Sequence, residues 1–179
     1  MKHLIIILLF FTATTIRAQT LQQEIPAAYG YIVTPGQSAP DFTTVTTKGK
    51  TVSLSNLKGK IVMLQFTASW CSVCRKEMPR IEQEIWQKHK DNPDFLLFGI
   101  DLKEPAAKAE GFRKEIPVTY PMLLDPEGTI FYSYAGKDAG VTRNVIIDRD
   151  GKIVFLTRLY KEDEFNAMKT VIEKLLNEH

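Results

Sequence analysis

The sequence predicts an α/β domain, with helices layered on a sheet. Two apolar runs with little alternation, residues 61–66 and 95–100, read as central strands covered on both faces. A segment with helical spacing follows each of them, residues 72–90 and 104–115, so strand-like and helix-like stretches alternate from residue 37 onward. A second strand pair and a long amphipathic helix close the chain. The 179 residues suit one domain with a real core, and 44% hydrophobic content excludes wholesale disorder.

In chain order, residues 1–18 read as an export signal. Lys2 supplies the positive start, Leu4 to Phe11 is unbroken apolar chain, and Thr12, Ala13, Thr14 and Thr15 lead to Ile16-Arg17-Ala18. Cleavage is expected after Ala18, giving a periplasmic or otherwise exported protein. An uncleaved membrane anchor is the alternative, but the run falls short of the ~20 apolar residues of a spanning helix. Residues 19–36 form a lead-in on the domain surface, and residues 37–179 the domain itself.

Residues 42–46 and 51–54, joined through Lys48-Gly49-Lys50, read as a β-hairpin. In the helix over 72–90, Met78, Ile81, Ile85 and Trp86 share the buried face, and Pro79 removes a backbone donor and kinks it. Val145-Ile-Ile147 and Ile153-Val-Phe-Leu156 flank Asp148-Arg-Asp-Gly151 as a second hairpin. Asp125-Pro-Glu-Gly128 reads as another turn. From about Lys161 a final helix puts Phe165, Met168, Val171, Ile172, Leu175 and Leu176 on one stripe.

Chemistry concentrates in Gln65-Phe-Thr-Ala-Ser-Trp-Cys71-Ser-Val-Cys74-Arg-Lys-Glu77. The only two cysteines lie three positions apart, where a strand runs out and a helix begins. The first turn of a helix has unpaired N–H groups and partial positive charge, which lowers the pKa of a thiol there below the free value of ~8.5. Cys71 can then attack a disulfide, and Cys74, one turn on, can resolve the mixed disulfide. Two other readings compete. A structural disulfide closing so small a loop removes little unfolded-state entropy. A zinc site needs further ligands, and the histidines are only His3, His89 and His179, which leaves two-coordinate Cu(I) as the serious metal reading.

Trp70-Cys71-Ser72-Val73-Cys74 matches the Trp-Cys-x-x-Cys signature of the thioredoxin superfamily. Over residues 37–179 the chain resembles the exported TlpA/ResA-type thiol–disulfide oxidoreductases. Pro79 after the cysteines, Phe98-Gly-Ile-Asp101 and the 146–154 hairpin extend the match. The resemblance implies a thioredoxin-like fold, with a central mixed sheet flanked by helices and an N-terminal β-hairpin extension. It also implies Cys71 and Cys74 as the catalytic pair, Trp70 beside the substrate, and Glu77 as proton acceptor for Cys74. Thioredoxins carry a buried Asp six residues before the first Cys; Gln65 stands there and cannot titrate.

The family places a cis-Pro opposite the Cys pair, which by position is Thr142 within Gly140-Val-Thr-Arg-Asn144. A cis bond before Thr costs ~2.5–4 kcal/mol, so a trans peptide is expected, with Thr142 and Arg143 as contacts to thiolate or substrate. Ser72 and Val73 bring no positive charge between the cysteines. A reductant or mild exchanger follows, nearer thioredoxin than DsbA on the potential scale.

Two rivals stand beside this reading. A peroxiredoxin-like peroxidase needs Thr or Ser three residues before its Cys and an Arg to polarise peroxide; Ala68 occupies that place, with Thr67 one further back and Arg143 as the candidate Arg. A Cu(I) metallochaperone could add Met63, Met78, Met122 or Met168, whose spacing suits core positions better.

No phosphate loop or dinucleotide fingerprint occurs, so no organic cofactor and no resident metal are implied. The net charge of +2 argues against nucleic acid as a partner. That charge belongs to the signal: cleavage removes Lys2 and Arg17 and no acidic residue, leaving a neutral chain. The expected partners are protein disulfides or dithiols as substrates and a membrane thiol-transfer protein as electron donor, with the protein itself a monomer.

Overall fold

The computed structural model describes residues 23–178, so the signal, its cleavage site and His179 lie outside the described residues. The hairpin forms as β1 (Thr43–Val45) and β2 (Thr51–Ser53), closed by Gly49 at φ 81°. β3 (Ile61–Thr67) follows, with all seven residues buried, as its unbroken apolar run requires. Next come α1 (Ser72–Ile81), β4 (Phe95–Leu102) and α2 (Ala106–Glu115). β5 (Met122–Asp125), α3 (Thr129–Tyr134), β6 (Arg143–Ile147), β7 (Ile153–Arg158) and α4 (Glu162–Asn177) complete the chain.

Five strands make one mixed sheet in the order β5-β4-β3-β6-β7. β4 runs parallel to β3 and β5, while β6 runs antiparallel to β3 and β7. The mixed sheet implied by the resemblance is therefore present, with β3 at its centre. Strand alternation sends Gln65 and Phe66 to opposite faces. Gln65 meets Glu77 of α1, whereas Phe66 packs on Phe131 and Tyr134 of α3. α4 joins α1 on the first face: Arg80 stacks over Phe165, and Lys169 pairs with Glu84. Glu162, Asp163 and Glu164 in the first turn of α4 suit the positive end of its dipole. Among the described residues no helix is long and apolar enough to cross a membrane.

Both sheet edges are covered, which removes rows of unpaired backbone groups. The hairpin lies along β5: Thr47 donates its N–H to Met122 O at 2.9 Å and Thr44 Oγ1 donates to Leu124 O at 2.5 Å. Along β7, the Gln23 side-chain amide bonds both backbone groups of Leu156, and Ile153 donates to Gln37 O. The lead-in is thus more than a surface segment. Val33 is in the core, and Tyr31 Oη donates to the Thr157 carbonyl at 2.6 Å.

Three details differ from the sequence reading. β5 and α3 were not anticipated, because a four-residue strand shows no period and Thr-Ile-Phe-Tyr-Ser-Tyr has strand-like propensity. Tertiary contacts override that propensity: the buried Asp125 carboxylate accepts the N–H groups of Ile130 and Phe131 and so caps α3. The helix expected over 72–90 is α-helical only to Ile81, then widens to a π turn over Glu82–Trp86 before the turn Gln87–His89. Its face survives, with Met78, Ile81 and Ile85 buried. Finally, β6 begins at Arg143 rather than Val145, so two polar residues enter the sheet.

Candidate active site

Beyond Thr67 the chain turns through Ala68, Ser69 and Trp70 and enters α1 at Cys71, its N-cap residue. The turn is held from two sides. The Glu104 carboxylate accepts the Ser69 N–H at 2.6 Å and its hydroxyl at 2.7 Å. Arg75 donates from Nε and Nη2 to the Ser69 carbonyl at 3.0 and 2.8 Å. Burial would raise the Glu104 pKa, but Lys108 and the two Ser69 bonds outweigh it and hold the carboxyl low. Glu104 escaped sequence reasoning because its partner lies 35 residues away.

Cys71 and Cys74 form a disulfide with Cα atoms 5.3 Å apart. The Cys71 sulfur accepts the Cys74 N–H at 3.1 Å, the helix-cap contact expected of that position. The two residues are unequal: Cys71 is 7% exposed and Cys74 is fully buried. Trp70, next to Cys71, stands 64% exposed.

Thr142 faces the pair, preceded by a trans peptide. Its Oγ1 lies 3.0 Å from Cys71 Sγ and 3.3 Å from Cys74 Sγ. Its carbonyl accepts Leu159 N–H at 3.1 Å and Arg158 Nη1 at 3.3 Å. Leu159 is an exposed apolar residue at φ 63°, a conformation L-residues rarely adopt. Neither Arg158 nor Leu159 carried a sequence signal.

Below the pair, Glu77 is buried on the α1 face of the sheet. Asn144 Nδ2 donates to its Oε1 at 2.8 Å, and Gln65 Nε2 donates to its Oε2 at 3.4 Å. Burial pushes its pKa up to about 7, and the two amide donors restrain the rise. Gln65 is a buried strand residue whose Oε1 accepts the Tyr120 hydroxyl at 2.6 Å. Asp101, at the end of β4, is wholly buried, and neither of its carboxylate oxygens has a hydrogen-bond partner among the described residues. Burial, followed by the nearby Glu104 carboxylate, pushes its pKa up to about 7.

Arg143 requires a correction. Alternation along β6 turns it away from Asn144 and Glu77, toward Tyr31 and Phe131 on the other face. It is fully buried, with Nη2 donating to the carbonyls of Tyr29 at 3.2 Å and Gly140 at 2.8 Å. A side chain so enclosed does not present itself to a substrate, so the arginine required by the peroxidase reading is not beside the thiols. Met63, Met78, Met122 and Met168 are core residues, as their spacing suggested.

The Redoxin family profile matches residues 34–172, most of the chain. The chain belongs to the Redoxin family. Within it, the thiol–disulfide oxidoreductase ResA of Bacillus thuringiensis is 31% identical over 119 residues, 66% of this chain and 66% of that protein. A Bacteroides thetaiotaomicron protein solved in solution, provisionally assigned as a protein disulfide isomerase, is 61% identical; the match covers 84% of this chain and 94% of that one, with a TM-score of 0.81. A Chlorobium tepidum crystal structure, provisionally assigned as the thiol:disulfide interchange protein DsbE, matches at 27% identity over 81% of this chain and 99% of that one, TM-score 0.70. These relatives and the paired Cys71 and Cys74 bear out the thiol–disulfide oxidoreductase class and the thioredoxin-like fold of this Redoxin family member.

Proposed function

We propose that the protein reduces or exchanges disulfides of protein clients outside the cytoplasm, with Cys71 as nucleophile and Cys74 as resolving thiol. The observation that carries this reading is the inequality of the two cysteines: Cys71 caps a helix beside exposed Trp70 and retains a small exposure, while Cys74 is fully buried. A helix N-terminus favours the thiolate of Cys71, which attacks one sulfur of a client disulfide and releases the other as thiolate. Cys74, after passing its proton to Glu77, attacks Cys71 Sγ, releases the second client thiol and forms the Cys71–Cys74 disulfide. Two electrons thus move from the dithiol to the client. A membrane thiol-transfer protein would return them, accepting the disulfide and regenerating both thiols.

Thr142 contributes its hydroxyl to the thiolate, and exposed Trp70 contacts the client segment. The apolar run from Leu4, the small polar stretch Thr12 to Thr15 and Ala18 support export with cleavage after Ala18. Covered sheet edges support a monomer. The uncharged Ser72-Val73 pair supports a reducing protein, with a measured potential nearer ~ −270 than ~ −120 mV.

The test is trapping. Cys74→Ala, expressed with its own signal, should accumulate mixed disulfides through Cys71, while Cys71→Ser should form none and lose insulin reduction. A Cys71→Ser variant that retains full reductase activity overturns the assignment.

A further inference from the structure

Two side-chain amides hold the buried Glu77 carboxylate, and one of them is itself oriented by a third residue. Gln65 turns its NH₂ toward Glu77 Oε2 and its Oε1 toward the Tyr120 hydroxyl, 2.6 Å away. Tyr120 is fully buried, and Gln65 Oε1 is the one acceptor its hydroxyl reaches among the described hydrogen bonds. Rotating the amide by half a turn would present Oε1 to Glu77, which suits only a protonated carboxyl, and would leave the Tyr120 O–H without an acceptor. The hydroxyl therefore selects the amide orientation that donates to Glu77.

We propose that Tyr120, acting through Gln65, is a positioning residue that favours the ionised form of Glu77. Its consequence for catalysis rests on Glu77 being the proton acceptor of the dithiol; its direct readout does not. The groups in contact with Glu77 are neutral, Gln65 from β3 and Asn144 from β6 with Thr157 of β7 behind it; Tyr120, before β5, lies behind Gln65, and Tyr31 of the lead-in, stacked with Arg143, lies on the other face of the sheet. On its own helical stretch the titratable neighbours are Cys74 and, toward Tyr120, Glu82. Among the described residues no ion pair includes Glu77. With no cation alongside, the polarity of its hydrogen bonds is what opposes burial and favours the ionised form.

Tyr120→Phe deletes only the hydroxyl and keeps the ring against Trp86, 6.5 Å between centroids. Isotope-edited carboxyl NMR of the oxidised protein, in which neither cysteine titrates, reads Glu77 directly. The Glu77 midpoint should rise on the order of one pH unit in Tyr120→Phe and also rise in Gln65→Met, with no further rise in the double variant. An unmoved midpoint in Tyr120→Phe overturns the proposal, as does a full additional shift from Tyr120→Phe in the Gln65→Met background. If the midpoint rises while the acid limb of disulfide reduction stays in place, the role of Tyr120 stands and that of Glu77 as the dithiol's base falls.

Discussion

The Thr142 hydroxyl oxygen lies within 3.3 Å of both sulfurs of the Cys71–Cys74 pair, nearer to Cys71. Opposite the pair, behind a trans peptide, this chain offers a hydrogen-bond donor. In the dithiol form that donor can turn to the Cys71 thiolate, and a hydrogen bond to an ionised acceptor is roughly twice as strong as a neutral one.

Replacing Thr142 with Val keeps the shape and removes the donor. The ionisation midpoint of Cys71, followed by thiolate absorbance in the ultraviolet, should rise by roughly half to one pH unit. A midpoint equal to that of the wild type means the hydroxyl does not serve the thiolate.

Glu77 sits in the range where a proton acceptor works best near neutrality, raised to about 7 by burial against the pull of Asn144 and Gln65. Disulfide reduction should gain rate as pH rises through about 7 and Glu77 ionises. Glu77→Gln should erase that limb and slow turnover about 10²-fold. An unchanged pH–rate profile removes Glu77 from the mechanism.

Asp101 links ionisation to folding. Its pKa is raised in the folded state, so the native protein holds the proton more tightly than the unfolded chain. The resulting stability is complete below the unfolded value of ~3.9 and is lost as pH rises through about 7. Asp101→Asn, a neutral isostere, should match wild type in chemical denaturation near pH ~3.5, begin to exceed it by pH ~5, and exceed it by on the order of a few kcal/mol near pH ~8. Equal stability gaps at the two extremes would contradict the neutral buried carboxyl.

Arg143 separates structure from chemistry. Lysine cannot reproduce the forked contacts to the Tyr29 and Gly140 carbonyls or the stacking on Tyr31. Arg143→Lys should cost about 1–3 kcal/mol of stability and leave the second-order rate of disulfide reduction unchanged where the variant is folded. A large rate loss in folded protein would return Arg143 to the site.

The strong local signals were legible in the sequence. The runs at 61–66 and 95–100 announced the central strands, the two hairpins announced their turns, and the stripe from Phe165 to Ile172 announced the closing helix. β5 and α3 were illegible because four and six residues are too few to establish a repeating hydrophobic pattern, and α3 depends on a carboxylate from outside the helix. Within the site, Cys71 and Cys74 were readable because they share one helix start and their spacing is their geometry, while Glu77 was marked only by the family resemblance. Thr142 was readable by its place in the chain before the last hairpin.

What the sequence determined by itself is the dithiol: two cysteines at Cys-x-x-Cys spacing on a strand-to-helix junction, where helix spacing places both thiols together whatever the rest of the fold does. The tertiary structure alone decided their surroundings. Pairing of β3 with β6 and alternation along each strand bring Gln65 and Asn144 to Glu77, while the same alternation sends Arg143 to the opposite face. Tyr120 reaches Gln65 across 55 residues and Glu104 reaches Ser69 across 35. Such contacts have no period to betray them, because register and burial are set by the whole sheet rather than by any one segment.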